Sequence, residues 1–268
     1  MLTDPELDRL CVVLIRARNP SNIGAVARAM HDFGFRHLRV VNEYPMPFEA
    51  AKSAVDASAV IAAAVSFASV AEAVADCTLV VGTTAVGERQ LHHPLLPLAE
   101  AAPNLLAELR RTNTSGRVAL LFGSEKTGLS NEELSHCNWM LTIPMRNPDG
   151  ARHVSMNLGQ AAAVCLYELV RESPSAPATQ TPPVSPQAVS RPTEPATAAQ
   201  LEVLTALLTE IMNVTEYARR HAHNADPIHI RRLVRRLGAD STDAPVWIGI
   251  LKQILWKLTL PPRGEPSV

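Results

Sequence analysis

The chain predicts an α/β fold, a mostly parallel sheet with helices on both faces, followed by a small all-α module. Three observations carry this. Between residues 11 and 172, short apolar runs alternate with amphipathic helical patterns. Several of those runs end in Gly or another small residue beside one or two polar ones, as where a parallel α/β protein presents a ligand site beyond its strands. A Pro-rich stretch, 173–196, then separates this region from one with helical periodicity alone.

The runs at 11–15, 38–41, 78–81, 118–122 and 140–143 read as buried strands, with 62–66 a weaker candidate. Helical patterns cover 22–33, 48–56, 94–111 and 157–170. Residues 1–172 thus form one domain. The stretch 173–196 contains seven prolines and no aromatic residue, so it is a solvated linker. In 197–260, Leu201, Leu204, Leu208 and Ile211 mark one helix face. A second helix starts at Asp226-Pro227, a cap followed by Pro at the first position, and stops at Gly238. A third places Trp247, Ile250, Leu251, Ile254 and Leu258 on one side.

With 47% hydrophobic but only 4% aromatic residues, the core must be aliphatic. A net charge of −1 and a pI near 6.8 exclude a strongly basic coat but permit a local basic patch. Cys11, Cys77, Cys137 and Cys165 lack C-x-x-C spacing, so buried free thiols are expected, with neither zinc nor disulfides. The opening Met1-Leu-Thr-Asp-Pro-Glu has no signal-peptide character. The Ala-rich stretch 50–75 carries Lys52, Asp56 and Glu72, so no membrane segment is expected and the cytosol is the default compartment.

Three segments carry the chemistry: Asn22-Ile-Gly-Ala-Val-Ala-Arg28, Phe122-Gly-Ser-Glu-Lys-Thr-Gly128-Leu, and Ile143-Pro-Met with Ser155-Met-Asn157-Leu. The second has the G-x-x-x-x-G frame of a P-loop, but Leu129 stands where a P-loop needs Lys, and Glu125 would repel phosphate. Gly123 allows close backbone approach and Gly128 permits a turn. Asn22 and Ser155 each have the placement of a helix N-cap. Arg28 is nearly the only charge on a helix of small and apolar residues.

In this order and spacing the three segments resemble the motifs of the SpoU-type RNA ribose methyltransferases of the SPOUT class. The resemblance covers about residues 11–172. It implies a parallel sheet whose loops form a deep C-terminal trefoil knot, an exception to the rule against threaded chains. S-adenosylmethionine is the implied methyl donor, held largely by main-chain groups of Thr83, Thr84 and Ala85, of Gly123, and of Ile143, Val154, Ser155 and Met156. No metal is expected. The implied catalytic set is Asn22, Arg28, Glu125, Ser155 and Asn157. Arg28 matches a residue proposed in the family as a base. A guanidinium with a pKa above about 12 is better suited to gripping the adjacent phosphate in bidentate fashion.

The appended helices resemble a narrower group that 2′-O-methylates nucleotide 32 in the tRNA anticodon loop, as does Arg18-Asn-Pro-Ser-Asn-Ile-Gly-Ala. That group tends to read Tyr-Ser-Ser-Leu-Asn at the third motif, where this chain has His153-Val-Ser-Met-Asn. Ser155-Met-Asn-Leu is closer to relatives that modify the wobble nucleotide. Ribosomal RNA in place of tRNA is an alternative substrate, and a catalytically silent RNA-binding protein on the same fold a further reading. A homodimer is implied by the class. Residues 197–268 carry nine Lys plus Arg against seven acids (+2), and 1–172 carry fifteen against eighteen (−3). Arg231, Arg232, Arg235 and Arg236 are therefore the expected RNA contacts.

Overall fold

Leu10–Ile15 is apolar at every position and buried throughout, as a strand covered on both faces must be. Alternate residues face opposite layers. Leu10, Val12 and Leu14 enter one core cluster, and Cys11, Val13 and Ile15 the other. A computed structural model describes residues 2–42, 58–85, 93–112, 114–146, 155–171 and 194–260. Within it the strands are β1 Leu10–Ile15, β2 His37–Val41, β3 Val65–Phe67, β4 Cys77–Thr83, β5 Leu95–Pro97, β6 Arg117–Phe122 and β7 Trp139–Thr142. They form a seven-stranded sheet in the order β3-β2-β1-β6-β4-β7-β5, and every pairing is parallel. The registers Leu14↔Phe122, Gly82↔Leu121 and Thr83↔Leu141 bring the carboxyl ends of β1, β6, β4 and β7 to one edge.

The first domain carries helices α1 Asp4–Leu7, α2 Pro20–Asp32, α3 Ser58–Ala62, α4 Val70–Ala73, α5 Leu98–Leu109, α6 Asn131–Ser135 and α7 Leu158–Val170. On one face Ile23, Val26 and Met30 of α2, Leu105 of α5 and Leu166 of α7 pack on the sheet. On the other face lie Val70 and Ala73 of α4 and Leu134 of α6. All four cysteines are free and buried, as expected. Burial alone pushes the Cys165 thiol up to about 12, and burial is also the main reason Cys137 reaches about 12.

Some expected boundaries move. The helix expected at 94–111 begins only at Leu98, because Leu95–Pro97 joins the sheet edge as β5. The weak strand at 62–66 straddles the end of α3 and the start of β3. The helix expected at 48–56 lies outside the described residues. So do most of the linker and residues 147–154, which belong to the loops expected to form the knot.

The C-terminal module comprises α8 Ala198–Val214, α9 Tyr217–Arg220, α10 Pro227–Arg236 and α11 Asp243–Thr259. Its core joins Leu201 and Leu204 to Ile230, Val234, Ala244 and Leu251. It docks on the first domain: Ala199 N donates to Ala75 O at 3.1 Å, and Ala198 enters the second core cluster. The last residues expected to be linker belong to this structure. Ala196 is buried, and the Glu194 carboxylate accepts from Thr114 Oγ1 (2.5 Å) and from Ser115 N and Gly116 N (both 3.1 Å).

The third helix is covered on one side within this chain. On α11 the packed seam is Ala244, Ile248 and Leu251. Of the apolar side marked in the sequence, Leu251 is buried, and Trp247, Ile250, Ile254 and Leu258 are exposed. The helix carries two apolar seams, and α8 covers one of them. Among the described residues no helix is long and apolar enough to cross a membrane.

Candidate active site

Both expected caps shift by a few residues, and the shift frees side chains for other work. Helix α2 starts at Pro20, so Asn19 is its N-cap and accepts from Ser21 N at 2.9 Å. Asn22 then lies inside the first turn with its amide pointing outward. Likewise Asn157, two residues beyond Ser155, caps α7 by accepting from Gly159 N at 2.9 Å, and Ser155 is exposed ahead of the helix.

These positions connect the three motifs. Because Asn157 Oδ1 is committed to the cap, its Nδ2 donates outward, to Asn22 Oδ1 at 3.0 Å. Asn22 Nδ2 in turn donates to Glu125 Oε1 at 2.9 Å. Each bond fixes the orientation of the next amide, so the chain from Gly159 N to the Glu125 carboxylate has one direction. Glu125, one of the implied catalytic residues, thus bonds within the site through Asn22. Arg28 is exposed on α2, about 9 Å along the axis from Asn22 and about 120° round it.

The loop after β6 closes on itself. Gly128 N donates to Ser124 O at 2.8 Å, and Thr127 N donates to Ser124 Oγ at 3.2 Å. Gly128 has φ +65°, so the expected turn is present. At Gly123 a Cβ would lie 2.2 Å from Gly128 C and Leu129 N. Its missing side chain makes room for the loop's own backbone.

Sequence reasoning missed the residue that anchors this loop. Arg16, directly after β1 with φ +54°, makes a bidentate pair with Glu133 (Nε–Oε1 2.6 Å, Nη2–Oε2 2.9 Å) and donates to Gly128 O at 2.9 Å. Glu133 also closes a capping box on α6, accepting from Ser130 N at 2.6 Å. The signal available was Ser130-x-x-Glu133, together with a lone Arg ending a wholly apolar strand. Gly159 was missed too. A Cβ there would stand 2.5 Å from Ala25 Cβ, so Gly159 sets how closely α2 and α7 approach.

The expected donor-binding loops leave adjacent strands, since β6, β4 and β7 are neighbours. Thr83 Oγ1 is spent on Leu121 O (2.9 Å), and Thr84 N continues the ladder to Leu141 O (3.0 Å). Thr84 and Ala85 thus sit between the ends of β6 and β7, with half-buried Ile143 just beyond β7 and half-buried Met156 ahead of the α7 cap. Val154 lies outside the described residues. Next to Ile143, the buried Thr142 hydroxyl has no hydrogen-bond partner among the described residues. Main-chain groups, small side chains and one unsatisfied hydroxyl suit a nucleoside held by its edges.

The four arginines expected to contact RNA divide into two pairs. Arg231 is drawn into the junction of the two domains, pairing with Glu202 (2.8 Å) and Glu132 (3.6 Å) and donating to Ser135 Oγ (2.9 Å). Arg235 is buried beside it, where desolvation lowers its pKa. Neither presents a phosphate-gripping surface, because the i, i+4 face they share packs on α6. Arg236 is exposed and Arg232 half-buried. Between the domains, His136 lies near Glu132 and Glu202, yet burial and the charges of Arg231 and Arg235 push its pKa down to about 3.

A parallel sheet whose carboxyl-edge loops share one polar network places the three motifs at a single site, where α/β enzymes bind their ligands. Residues 9–167 match the SpoU rRNA Methylase family, and the chain belongs to that family. Relatives resemble more than this domain. The Pseudomonas aeruginosa (strain UCBPP-PA14) protein named tRNA (cytidine/uridine/adenosine-2'-O-)-methyltransferase TrmJ is 33% identical over 271 residues, 96% of each chain. The Escherichia coli (strain K12) tRNA (cytidine/uridine-2'-O-)-methyltransferase TrmJ is 38% identical over 164 residues, 61% of this chain and 63% of its own. The crystal structure of TrmJ from Z. mobilis ZM4 superposes with a TM-score of 0.71 at 27% identity, covering 91% of this chain and 98% of that one.

Proposed function

We propose that this protein transfers a methyl group from S-adenosylmethionine to a ribose 2′-hydroxyl of tRNA, at nucleotide 32 of the anticodon loop. The observation that carries this reading is the Glu125–Asn22–Asn157 chain, which gathers all three motifs at one sheet edge. The 96% overlap with the Pseudomonas aeruginosa protein, C-terminal helices included, supports a tRNA substrate.

The residues divide the work by position. The main chain around Thr83, Thr84, Ala85, Gly123, Ile143, Val154 and Met156 holds the donor. The donor supplies an activated methyl whose transfer discharges a positive charge. Ser155 and Asn157 face the donor and the attacking ribose, and Asn22 and Glu125 keep the Asn157 amide from turning. Arg28 grips the phosphate next to the target ribose and places the 2′-oxygen in line. Such positioning, with release of the 2′-hydroxyl proton as the donor's S–CH3 bond breaks and the O–CH3 bond forms, suffices because the sulfonium methyl is already activated. The enzyme acts as a homodimer in the cytosol.

Ser155-Met156-Asn157-Leu158 favours a second site, the wobble nucleotide. Two synthetic tRNAs, one with a 2′-deoxyribose at nucleotide 32 and one with it at the wobble position, separate the two. Loss of methyl transfer only with the first is expected. Loss only with the second would move the target to the wobble nucleotide.

A further inference from the structure

The C-terminal module contains a cavity that the active site does not use. It is open, about 500 Å³ in volume, and lies between α8, α9 and α10. Ile211, Met212, Ile230 and Leu233 give it an apolar lining, and Tyr217, Asn224 and His229 add polar groups. That size and balance fall within the range of small-molecule sites.

The chain builds this cavity at a sharp bend. After α8 ends at Val214, Glu216 takes φ +57° and turns the backbone into α9. Tyr217 is then held against His221, with ring centroids 4.6 Å apart, and Asn224 Nδ2 donates to the Tyr217 hydroxyl at 3.4 Å. An aromatic ring is thereby fixed at the mouth of an apolar hollow.

The surroundings are cationic. Residues 216–236 hold six arginines against two acids, Glu216 and Asp226. Arg231 and Arg235 face the domain junction, which leaves Arg219, Arg220, Arg232 and Arg236. Arg219 and Arg220 follow Tyr217 on α9 and share Glu216 at 3.0 and 3.9 Å. On α10, His229, Arg232, Leu233 and Arg236 stand at i, i+3, i+4 and i+7, so Arg232 and Arg236 share the face whose His229 and Leu233 line the cavity. Arg232 is half-buried and Arg236 exposed on that face.

An apolar hollow with a fixed ring, rimmed by guanidinium groups, matches the two halves of a nucleotide. Unpaired bases bind proteins by stacking, and their phosphates bind arginine. We propose that this cavity receives the base of an unpaired nucleotide of the RNA substrate, stacked on Tyr217, while Arg232 and Arg236 hold its phosphates. The proposal rests on the tRNA reading above and gives the appended helices a task in it. A helical protein segment would fit the lining but leaves the arginine rim unexplained.

The test uses the full chain and unmodified tRNA, with binding measured separately from methyl transfer. Leu233→Trp fills the cavity and should weaken tRNA binding about tenfold. Arg236→Ala, at an exposed position, should lower the slope of log Kd against log salt by about one. S-adenosylmethionine binding should be unchanged in both. Ultraviolet cross-linking of tRNA carrying 4-thiouridine should label peptides within 217–233. Wild-type affinity in Leu233→Trp, a wild-type salt slope in Arg236→Ala, or cross-links confined to residues before 172 would each overturn the proposal. A chain that binds tRNA in the expected way but never methylates it would refute the catalytic reading and uphold the cavity. A chain that binds no tRNA would sink both.

Discussion

Two asparagines that first suggest helix caps end up with different duties, and this sets the residue-scale expectations. Among the described residues the Asn22 side chain bonds to Asn157 and Glu125 of the site, so Asn22→Ala should reduce turnover about a hundredfold with little change in thermal stability. Asn157 is both cap and relay, so Asn157→Ala should show the same loss and in addition cost about 1 kcal/mol of stability. Steady-state kinetics beside thermal melts separates the two. Arg28→Ala should abolish turnover while leaving donor affinity, measured by calorimetry, nearly intact; lost donor binding with normal residual chemistry would contradict the phosphate-gripping role. Asn22, Glu125 and Asn157 could be singled out in the sequence because their segments, as an ordered set, resemble the motifs of a known family. Their mutual bonds were not, since they span 103 and 135 positions and depend on which residue claims each cap.

At the scale of elements, close approach governs the site. The helix pair α2 and α7 is held together at Gly159, so Gly159→Ala should destabilise by about 1–3 kcal/mol, read from urea midpoints. The same substitution should reduce turnover further than its stability loss explains, because it moves Asn22 away from Asn157. The loop after β6 depends on Arg16, and Arg16→Met should loosen it and weaken donor affinity while leaving the sheet intact. Strands were the most legible elements, because a parallel strand covered on both faces is a continuous apolar run. Short β5 was not, because Leu95–Pro97 offers three residues at an edge beside a strong helical pattern. Which apolar seam of α11 packs within the chain was not legible for a similar reason: with two seams, periodicity alone does not choose between them.

For the whole molecule, the junction between the first domain and the C-terminal helices is the structural novelty that sequence could not supply. Arg231 and Arg235 look like an RNA-binding stripe in one dimension, and only the pairing of Arg231 with Glu132 and Glu202 and the burial of Arg235 reveal an internal use. The junction should also respond to pH. His136 titrates near 3 in the folded chain instead of its ordinary 6.5, because burial and two arginines oppose its charge. Below 6.5 the unfolded chain takes up a proton that the folded chain refuses, so stability falls as pH drops from about 6.5 towards 3. By pH 5 the loss should reach about 2 kcal/mol, and His136→Gln should flatten this part of the profile in denaturant melts. The central claim, that the site is an RNA ribose methyltransferase acting on the anticodon loop, is met most directly by one experiment. Labelled S-adenosylmethionine is incubated with unmodified total tRNA, and the labelled nucleotide is mapped. Label on a ribose of the anticodon loop, at nucleotide 32, is the predicted result; firm donor binding with no label on any tRNA would contradict it.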